Sequence, residues 1–150
     1  MALLLPGCSD PQLLPDPVPT ATAAPSATVA PTPSPTASAA GGLVPGGTAA
    51  ENLPLFEAVT AAVWASPEQV SGRAYIDALV AAGFDKSAMQ VTPDQTTVGN
   101  PAESIQFSVR WGEECLVGQV GPATGAPVAV VVPVLAEGTC LVGQTRPIDW

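Results

Sequence analysis

Several residue types are absent or scarce in this 150-residue chain, which has no histidine, three cysteines and four basic residues. Without histidine, the chain has no Ser-His-Asp or Cys-His catalytic group and no imidazole ligand for a metal. The four bases stand against 13 acids, and a net charge of −9 argues against binding to nucleic-acid phosphates. No apolar run reaches about 18 residues, the length of a membrane span. We therefore expect a protein that is not an enzyme, holds no cofactor or metal and binds no nucleic acid.

Proline, in contrast, is abundant, and 10 of the 18 prolines fall within residues 1–47. This stretch contains two acids, no base and no aromatic residue, and it is rich in alanine and threonine. Such a composition buries too little apolar surface to offset the entropy of ordering the chain. We predict a disordered linker over residues 9–49 and one folded domain over residues 50–150.

Residues 1–8 are typical of the end of a bacterial lipoprotein signal. Leu5-Pro6-Gly7-Cys8 resembles a lipobox, in which a small residue precedes the cysteine that becomes lipidated, although Pro6 departs from the usual Ala, Ser or Thr. The basic start and the apolar stretch of about 7–15 residues that a signal peptide needs are missing. We therefore expect the coding sequence to begin further upstream. The prediction is a lipid anchor at Cys8, and the alternative is a chance cysteine in a cytosolic leader.

Cys115 and Cys140 form an even pair once Cys8 is set aside. In an oxidising compartment such a pair is expected to form a disulfide. Closing a loop of about 25 residues would stabilise the fold by roughly 3 kcal/mol. The alternative is two buried thiols. Both cysteines begin the same five residues, Cys-Leu-Val-Gly-Gln, at 115–119 and 140–144, so we predict that both copies are strands of one sheet.

Two helices are predicted at the start of the folded domain. The first covers residues 52–65, with Asn52 as its cap and an apolar stripe at Leu55, Val59, Ala62 and Val63. The second covers residues 72–82, with Ser71 as its cap. Gly83 is placed to end it in a left-handed conformation that folds Phe84 back onto Leu79.

From residue 88 the apolar period changes from helical to alternating, which predicts strands. The predicted strands cover 88–92, 103–111, 115–120, 127–135 and 140–144, and Pro133 confines its strand to an edge or a bulge. In 103–111 alternate residues are predicted to form a solvent-exposed face, which includes Ser108 and Arg110. The predicted class is α+β, with two N-terminal helices packed on one face of an antiparallel sheet of four or five strands.

Three stretches of the domain resemble a known family. They are GRAYIDALVAAGFDKSAM (72–89), SIQFSVRWGEECLVGQ (104–119) and GTCLVGQTRPIDW (138–150). Over roughly residues 50–150 the chain resembles an uncharacterised domain of small secreted lipoproteins in high-GC Gram-positive (actinobacterial) bacteria. The resemblance implies secretion, a lipid anchor and a disulfide, and it implies no catalytic residue.

Few charged side chains are candidates for chemistry. Glu113 and Glu114 are the only adjacent acids. Paired carboxylates need burial or a close partner to act as acid and base, and these two are predicted to form a solvated hairpin tip. Lys86, the sole lysine, is predicted to form a surface ion pair with Asp85, which also caps a short turn.

Arg110 and Trp150 are the candidate interaction residues. An arginine can clamp a carboxylate or phosphate, but in so acidic a domain we expect Arg110 and Arg146 to pair with internal acids. Tryptophans can mark a binding patch. Trp111 continues the buried stripe of its strand and is assigned to the core, whereas Trp150 either plugs the sheet or is exposed.

We expect a lipid-anchored binding or accessory module on the extracytoplasmic face of the cell membrane. Its partner would be an unknown extracytoplasmic protein or envelope ligand. Two other functions stay open, namely a secreted inhibitor of an envelope or extracellular hydrolase, by analogy of fold alone, and a structural spacer of the cell wall.

Overall fold

A computed structural model describes residues 41–150. Helices α1 (Ala49–Trp64) and α2 (Gly72–Ala81) are followed by a 3₁₀ turn (Lys86–Ala88) and by strands β1 (Met89–Val91), β2 (Ile105–Trp111), β3 (Glu114–Val120) and β4 (Val128–Pro133). The strands form one antiparallel sheet in the order β1-β2-β3-β4. The predicted α+β class is confirmed. The predicted lipid anchor at Cys8 and the predicted linker up to residue 40 lie outside the described residues.

Helix α1 begins earlier than predicted, because Thr48 caps it. The Thr48 hydroxyl accepts a hydrogen bond from the N–H of Glu51 at 3.2 Å, and the Glu51 carboxylate accepts one from the N–H of Thr48 at 2.7 Å. This reciprocal pair is a capping box. The prediction of Asn52 as the cap is wrong. Asn52 is buried inside α1, where its amide exchanges hydrogen bonds of 2.8 and 3.0 Å with the backbone of Val44.

The chain before α1 is in contact with the domain. The Val44 backbone is bonded to Asn52, Leu43 packs against the core, and the indole N–H of Trp111 donates to the carbonyl of Gly47 at 2.7 Å. Trp111 itself is half-buried against the core. The folded part therefore begins by Leu43, although the linker was predicted to run to residue 49.

Three aromatic rings form the centre of the core between the helices and the sheet. Tyr75 of α2 stacks on Phe107 of β2 with 4.6 Å between ring centroids, and Phe56 of α1 lies 5.7 Å from Phe107. The face of α1 that points inward therefore carries Phe56 and Thr60. The predicted stripe is displaced by about one residue, since of its members only Val63 is buried.

Helix α2 ends as predicted. Gly83 has a φ of +103°, its N–H donates to the carbonyl of Val80 at 3.0 Å, and the N–H of Phe84 donates to the carbonyl of Leu79 at 3.1 Å. These two bonds define a Schellman motif. Phe84 is thereby returned to the core, where it is 3% exposed.

The two Cys-Leu-Val-Gly-Gln copies adopt different structures. The first lies in β3, whereas residues 140–144 form no strand, so the predicted fifth strand is wrong. Instead, the backbone N–H groups of Cys140 and Leu141 donate to the side-chain oxygen of Gln90, at 2.7 and 3.3 Å. The disulfide between Cys115 and Cys140 is present, with 5.7 Å between the Cα atoms. It holds the segment of residues 134–146 across the sheet face opposite the helices.

This covering segment explains a second difference from the sequence pattern. Ser108 was predicted to be exposed to solvent, but it is fully buried. It lies in register between Gln90 of β1 and Val117 of β3, on the face that residues 134–146 cover. Its hydroxyl has no hydrogen-bond partner among the described residues.

Candidate functional site

The sheet face opposite the helices, which we call the outer face, is the first candidate for a binding surface. Side chains alternate along a strand, so the register places Val128, Val130 and Val132 of β4 on this face, beside Val117 of β3. Val128 and Val130 are 46% and 41% exposed. The covering segment therefore leaves the β4 side of the outer face open.

A groove lies between this open side and the covering segment. Its volume is about 580 Å³, and its walls include Val117 and Val132 of the sheet and Leu141 and Val142 of the segment. Val142 is 80% exposed at the rim. An apolar groove beside exposed valines is the kind of surface that proteins use to bind a partner.

The two edges of the sheet differ. At the β1 edge, the carbonyl of Val91 accepts a hydrogen bond from the N–H of Arg146 at 2.9 Å, so the C-terminal segment covers it. Among the described residues, no strand pairs with the outer side of β4. Pro133 ends this open edge, which confirms the prediction that it confines its strand to an edge.

Acidic side chains lie at both ends of the open edge. At one end, a pocket of about 210 Å³ between α1 and β4 is lined by Glu57, Thr60, Ala61, Pro127 and Ala129. At the other end, Glu114 lies opposite Pro133 in the register. Glu113 and Glu114 are both exposed, as predicted for a hairpin tip.

The basic residues are grouped elsewhere, around Trp150. The guanidinium of Arg146 lies 4.9 Å from the centre of its indole ring, and Arg73 and Lys86 each lie 5.3 Å from it. Lys86 also donates to the carbonyl oxygen of Trp150. Stacked cations are attracted by the ring face, so three of the four bases hold the end of the chain against α2. Trp150 is half-buried there against α2, a position that neither of the two alternatives left open for it describes.

The predicted ion pair between Lys86 and Asp85 is not formed within residues 41–150. The carboxylate of Asp85 instead accepts hydrogen bonds from the backbone N–H and the hydroxyl of Ser87, at 2.9 and 2.7 Å. These bonds lower the pKa of Asp85 and cap the 3₁₀ turn, as predicted. Because Asp85 is satisfied locally, Lys86 is left to reach Trp150.

Arg110 and Trp150, the two candidate interaction residues, make separate sets of contacts. Arg110 is at the β2–β3 hairpin, where it donates to the carbonyls of Gly112 and Gly138 at 3.0 and 3.3 Å and lies 3.8 Å from Glu113. The expected internal pairing of both arginines is confirmed, since Arg146 pairs with Asp94 at 3.1 Å. An interaction role for Arg110 or Trp150 stays a prediction.

Sequence reasoning missed two features of this region. One is Glu57, which faces β4 only because α1 crosses that strand, so no local pattern marks it. The other is the position of Pro127, which starts the same valine-rich run that Pro133 ends. The spacing of these two prolines could have indicated the open edge, because an even separation places both missing N–H groups on the same side of a strand.

Within residues 41–150, no helix is long and apolar enough to cross a membrane. In the same residues, no group of three or more Cys, Asp and Glu side chains is arranged to hold a metal ion.

Comparison with families of known proteins gives a match. The model of a family described as a domain of unknown function (DUF6993) matches residues 60–144, which is more than half of the chain. The matched region runs from α1 through the sheet and into the covering segment, so it includes both cysteines and the open edge of β4. No curated protein and no solved structure matches the chain.

Proposed function

This chain belongs to the DUF6993 family, whose domain has no assigned function, and we propose that its folded domain is a non-catalytic module that binds an extracytoplasmic protein. The module would be held at the extracytoplasmic face of the cell membrane by a lipid on Cys8, with the Pro/Ala/Thr-rich residues as its linker. In this proposal the chain is one of the small secreted lipoproteins of high-GC Gram-positive bacteria.

The exposed valines beside the groove are the observation that carries the binding function. Val142, which lines a groove of about 580 Å³, is 80% exposed, and Val128 and Val130 on the same sheet face are 46% and 41% exposed. Exposed apolar patches on soluble proteins often mark sites of interaction with a partner. A protein partner that covered the valines would remove this surface from water.

The location rests on the cysteines. The disulfide between Cys115 and Cys140 favours an oxidising compartment, since thiols of cytosolic proteins are kept reduced. A lipid on Cys8 followed by a long linker would then place the domain outside the membrane. Intact-mass spectrometry of the native protein from its own host, with and without reduction and alkylation, tests this. A chain beginning at a diacylglyceryl-modified Cys8 supports the proposal, and a chain beginning at Met1 with three free thiols contradicts it.

Crosslinking in intact host cells tests the binding function. The full chain is compared with a double variant, Val128→Ser and Val130→Ser, and with the control Val98→Ser. Val98 is 78% exposed in the loop between β1 and β2 and is not among the residues that line the groove. We expect the wild type and the control to capture the same discrete partner and the double variant to lose it. Capture of abundant background proteins alone, unchanged by the double variant, would contradict the proposal.

The two other functions give different results in these experiments. An inhibitor would be the case in which the captured partner is a hydrolase, and a panel of proteases, β-lactamases and wall hydrolases would then show inhibition. A wall spacer would capture no discrete partner, and shortening the linker would alter its effect more than changing the valines.

A further inference from the structure

The hydrogen-bonding phase of β4 determines which of its backbone groups point away from the sheet. The N–H of Val134 donates to the carbonyl of Glu113 at 3.0 Å. In an antiparallel pair such bonded positions recur at every second residue. Val130 and Val132 therefore bond to β3, and the N–H and C=O groups of Ala129 and Val131 point toward the open edge.

Two prolines, Pro127 directly before β4 and Pro133 at its end, lie in this outward phase. Pro127 and Pro133 differ from Ala129 and Val131 by even numbers of residues, so their missing N–H groups are ones that would have pointed outward. Proline at such positions limits the pairing of an edge strand without disturbing the sheet. The open edge is thereby reduced to a window with two donors, those of Ala129 and Val131, which suits a short segment.

The charged side chains at the two ends of this window are acidic. Glu57 lines the pocket beside Ala129 at one end, and Glu114 is opposite Pro133 at the other. The base nearest in the register is Arg110, and it is already bonded to Gly138 and paired with Glu113. A segment that lay along β4 would therefore meet acidic side chains at both of its ends.

We propose that β4 accepts a short extended segment of a partner protein as a fifth strand, and that this segment has apolar residues in its middle and Lys or Arg at its ends. Main-chain hydrogen bonds from Ala129 and Val131 would supply the pairing, and the pocket beside Glu57 would take one basic side chain. The inference rests on the proposed binding function and adds to it the edge that is used and the chemistry of the partner.

Two synthetic peptides test the proposal on the oxidised full chain. The probe is Lys-Val-Thr-Val-Thr-Val-Lys, and its matched control has Glu in place of both Lys. We expect the Lys peptide to bind at least about tenfold more tightly at low ionic strength, because charge complementarity selects it. Its binding should slow hydrogen exchange at the N–H groups of Ala129 and Val131. The N–H of Val130, which already bonds to β3, should be unaffected.

Variants of the edge test the same point. Val131→Pro removes an outward donor but none of the bonds to β3, and Val131→Thr is its matched control. The proline variant should weaken binding of the Lys peptide by at least about tenfold and the threonine variant by less than about twofold. If the proline variant does not fold, Glu57→Lys is tested instead, since Glu57 is exposed. The Glu57→Lys variant should bind the Glu peptide more tightly than the Lys peptide.

Three results would overturn the inference. One is equal binding of the two peptides, and another is unchanged exchange at Ala129 and Val131 when the Lys peptide is bound. The third is protection of these two N–H groups in the free chain that rises with protein concentration, because the occupant of the edge would then be a second copy.

The binding function is judged separately in cells. A partner captured equally by wild type and Val131→Pro would refute the edge and leave that function standing, whereas no discrete partner for the wild type would refute the function itself.

Discussion

Asp94 and Arg146, which are 52 residues apart in the sequence, form an ion pair with 3.1 Å between Oδ2 and Nη2. The other oxygen of Asp94 accepts a hydrogen bond of 2.9 Å from the N–H of Gly72, the first residue of α2. Ser71, the predicted cap, makes no side-chain cap bond. One carboxylate thus caps α2 and also binds the C-terminal segment where it covers the β1 edge.

Removing this carboxylate should loosen both contacts. We expect Asp94→Ala to lower the free energy of unfolding by about 1–2 kcal/mol, because a lost helix cap costs about 0.5–2 kcal/mol and a partly exposed ion pair less than about 1 kcal/mol. Asp94→Asn keeps an acceptor for Gly72 and loses only the charge, so it should cost less than half as much. Urea denaturation of the oxidised chain measures both. Equal losses for the two variants would show that the cap contributes nothing.

Gly118 should be intolerant of any side chain. It lies opposite Phe107 in the register, and a Cβ atom at position 118 would overlap the ring of Phe107. That ring has little room to move, since it is stacked on Tyr75 and adjoins Phe56. We expect Gly118→Ala to lower the free energy of unfolding by about 1–3 kcal/mol, as overpacked cores do.

The control is Gly46→Ala, because a Cβ atom at Gly46 would meet nothing within 4 Å. It should change the free energy of unfolding by less than about 0.5 kcal/mol. Thermal melts of both variants decide the matter. A Gly118→Ala protein as stable as the Gly46→Ala protein would mean that Phe107 relaxes freely.

The parts of the fold that were predictable from the sequence depend on neighbours in the chain. The inward-facing residues of β2 and the Gly83 stop of α2 follow local patterns, and the structure confirms both, whereas Ser108 on the other face of β2 is buried. Thr48 and Glu51 form a capping box that is also local, but it precedes the first apolar residue of the predicted helix, and so Asn52 was chosen as the cap.

What was not predictable depends on residues distant in sequence. The two Cys-Leu-Val-Gly-Gln copies have the same local preference, yet only the first has strands on both sides, and the second bonds to Gln90 instead. Asp94 was not selected because its partners are 22 and 52 residues away. For the candidate site, Pro133 marked the edge correctly, while the acid beside that edge, Glu57, is contributed by a helix about 70 residues earlier in the chain.

The disulfide should hold the covering segment in place. Reduction, or the double variant Cys115→Ser and Cys140→Ser, should lower the free energy of unfolding by about 2–4 kcal/mol, since the cross-link restricts the unfolded chain. The sequence separation of its cysteines is 25 residues. Thermal melts with and without a reductant measure the effect. The double variant serves as the control, because the reductant should leave its melting temperature unchanged.

Tyr75 should titrate at unusually high pH. It is fully buried, its hydroxyl donates to the carbonyl of Gln69 at 2.8 Å, and burial raises its pKa to about 12. The folded state thus favours the neutral phenol. Its contribution to stability is complete below the unfolded pKa of about 10 and is lost as the pH rises from there toward 12. Tyr75 is the only tyrosine in the chain, so phenolate absorbance reports it alone, and a midpoint near 10 in the folded protein would contradict the prediction.

Trp150 should control the acidity of Asp77. Its indole N–H donates to Oδ1 of Asp77 at 2.9 Å, and Nε of Arg73 lies 3.2 Å from Oδ2. Burial by itself would raise the pKa of Asp77, but the hydrogen bonds from Trp150 and Arg73, with the charges of Arg73 and Lys86, outweigh it and hold the pKa below its usual range. The resulting stabilisation is present above the unfolded pKa of about 4 and is lost as the pH falls through the lower folded value.

Trp150→Phe removes this donor while keeping an aromatic ring for the cations. We expect the pKa of Asp77 to rise toward its usual value in this variant, and the variant to be less stable than the wild type at neutral pH. The difference should shrink as the pH falls below the folded pKa, because a protonated Asp77 gains less from the indole N–H. Carboxyl NMR during an acid titration measures the pKa, and urea denaturation at neutral and acidic pH measures the stability.

Trp64→Phe, which changes a half-buried tryptophan on α1, is the control and should leave the Asp77 titration unaltered. An Asp77 pKa that is the same in Trp150→Phe as in the wild type would mean that Arg73 and Lys86 lower it without help from the indole. The indole would then hold the chain end by stacking rather than by its hydrogen bond.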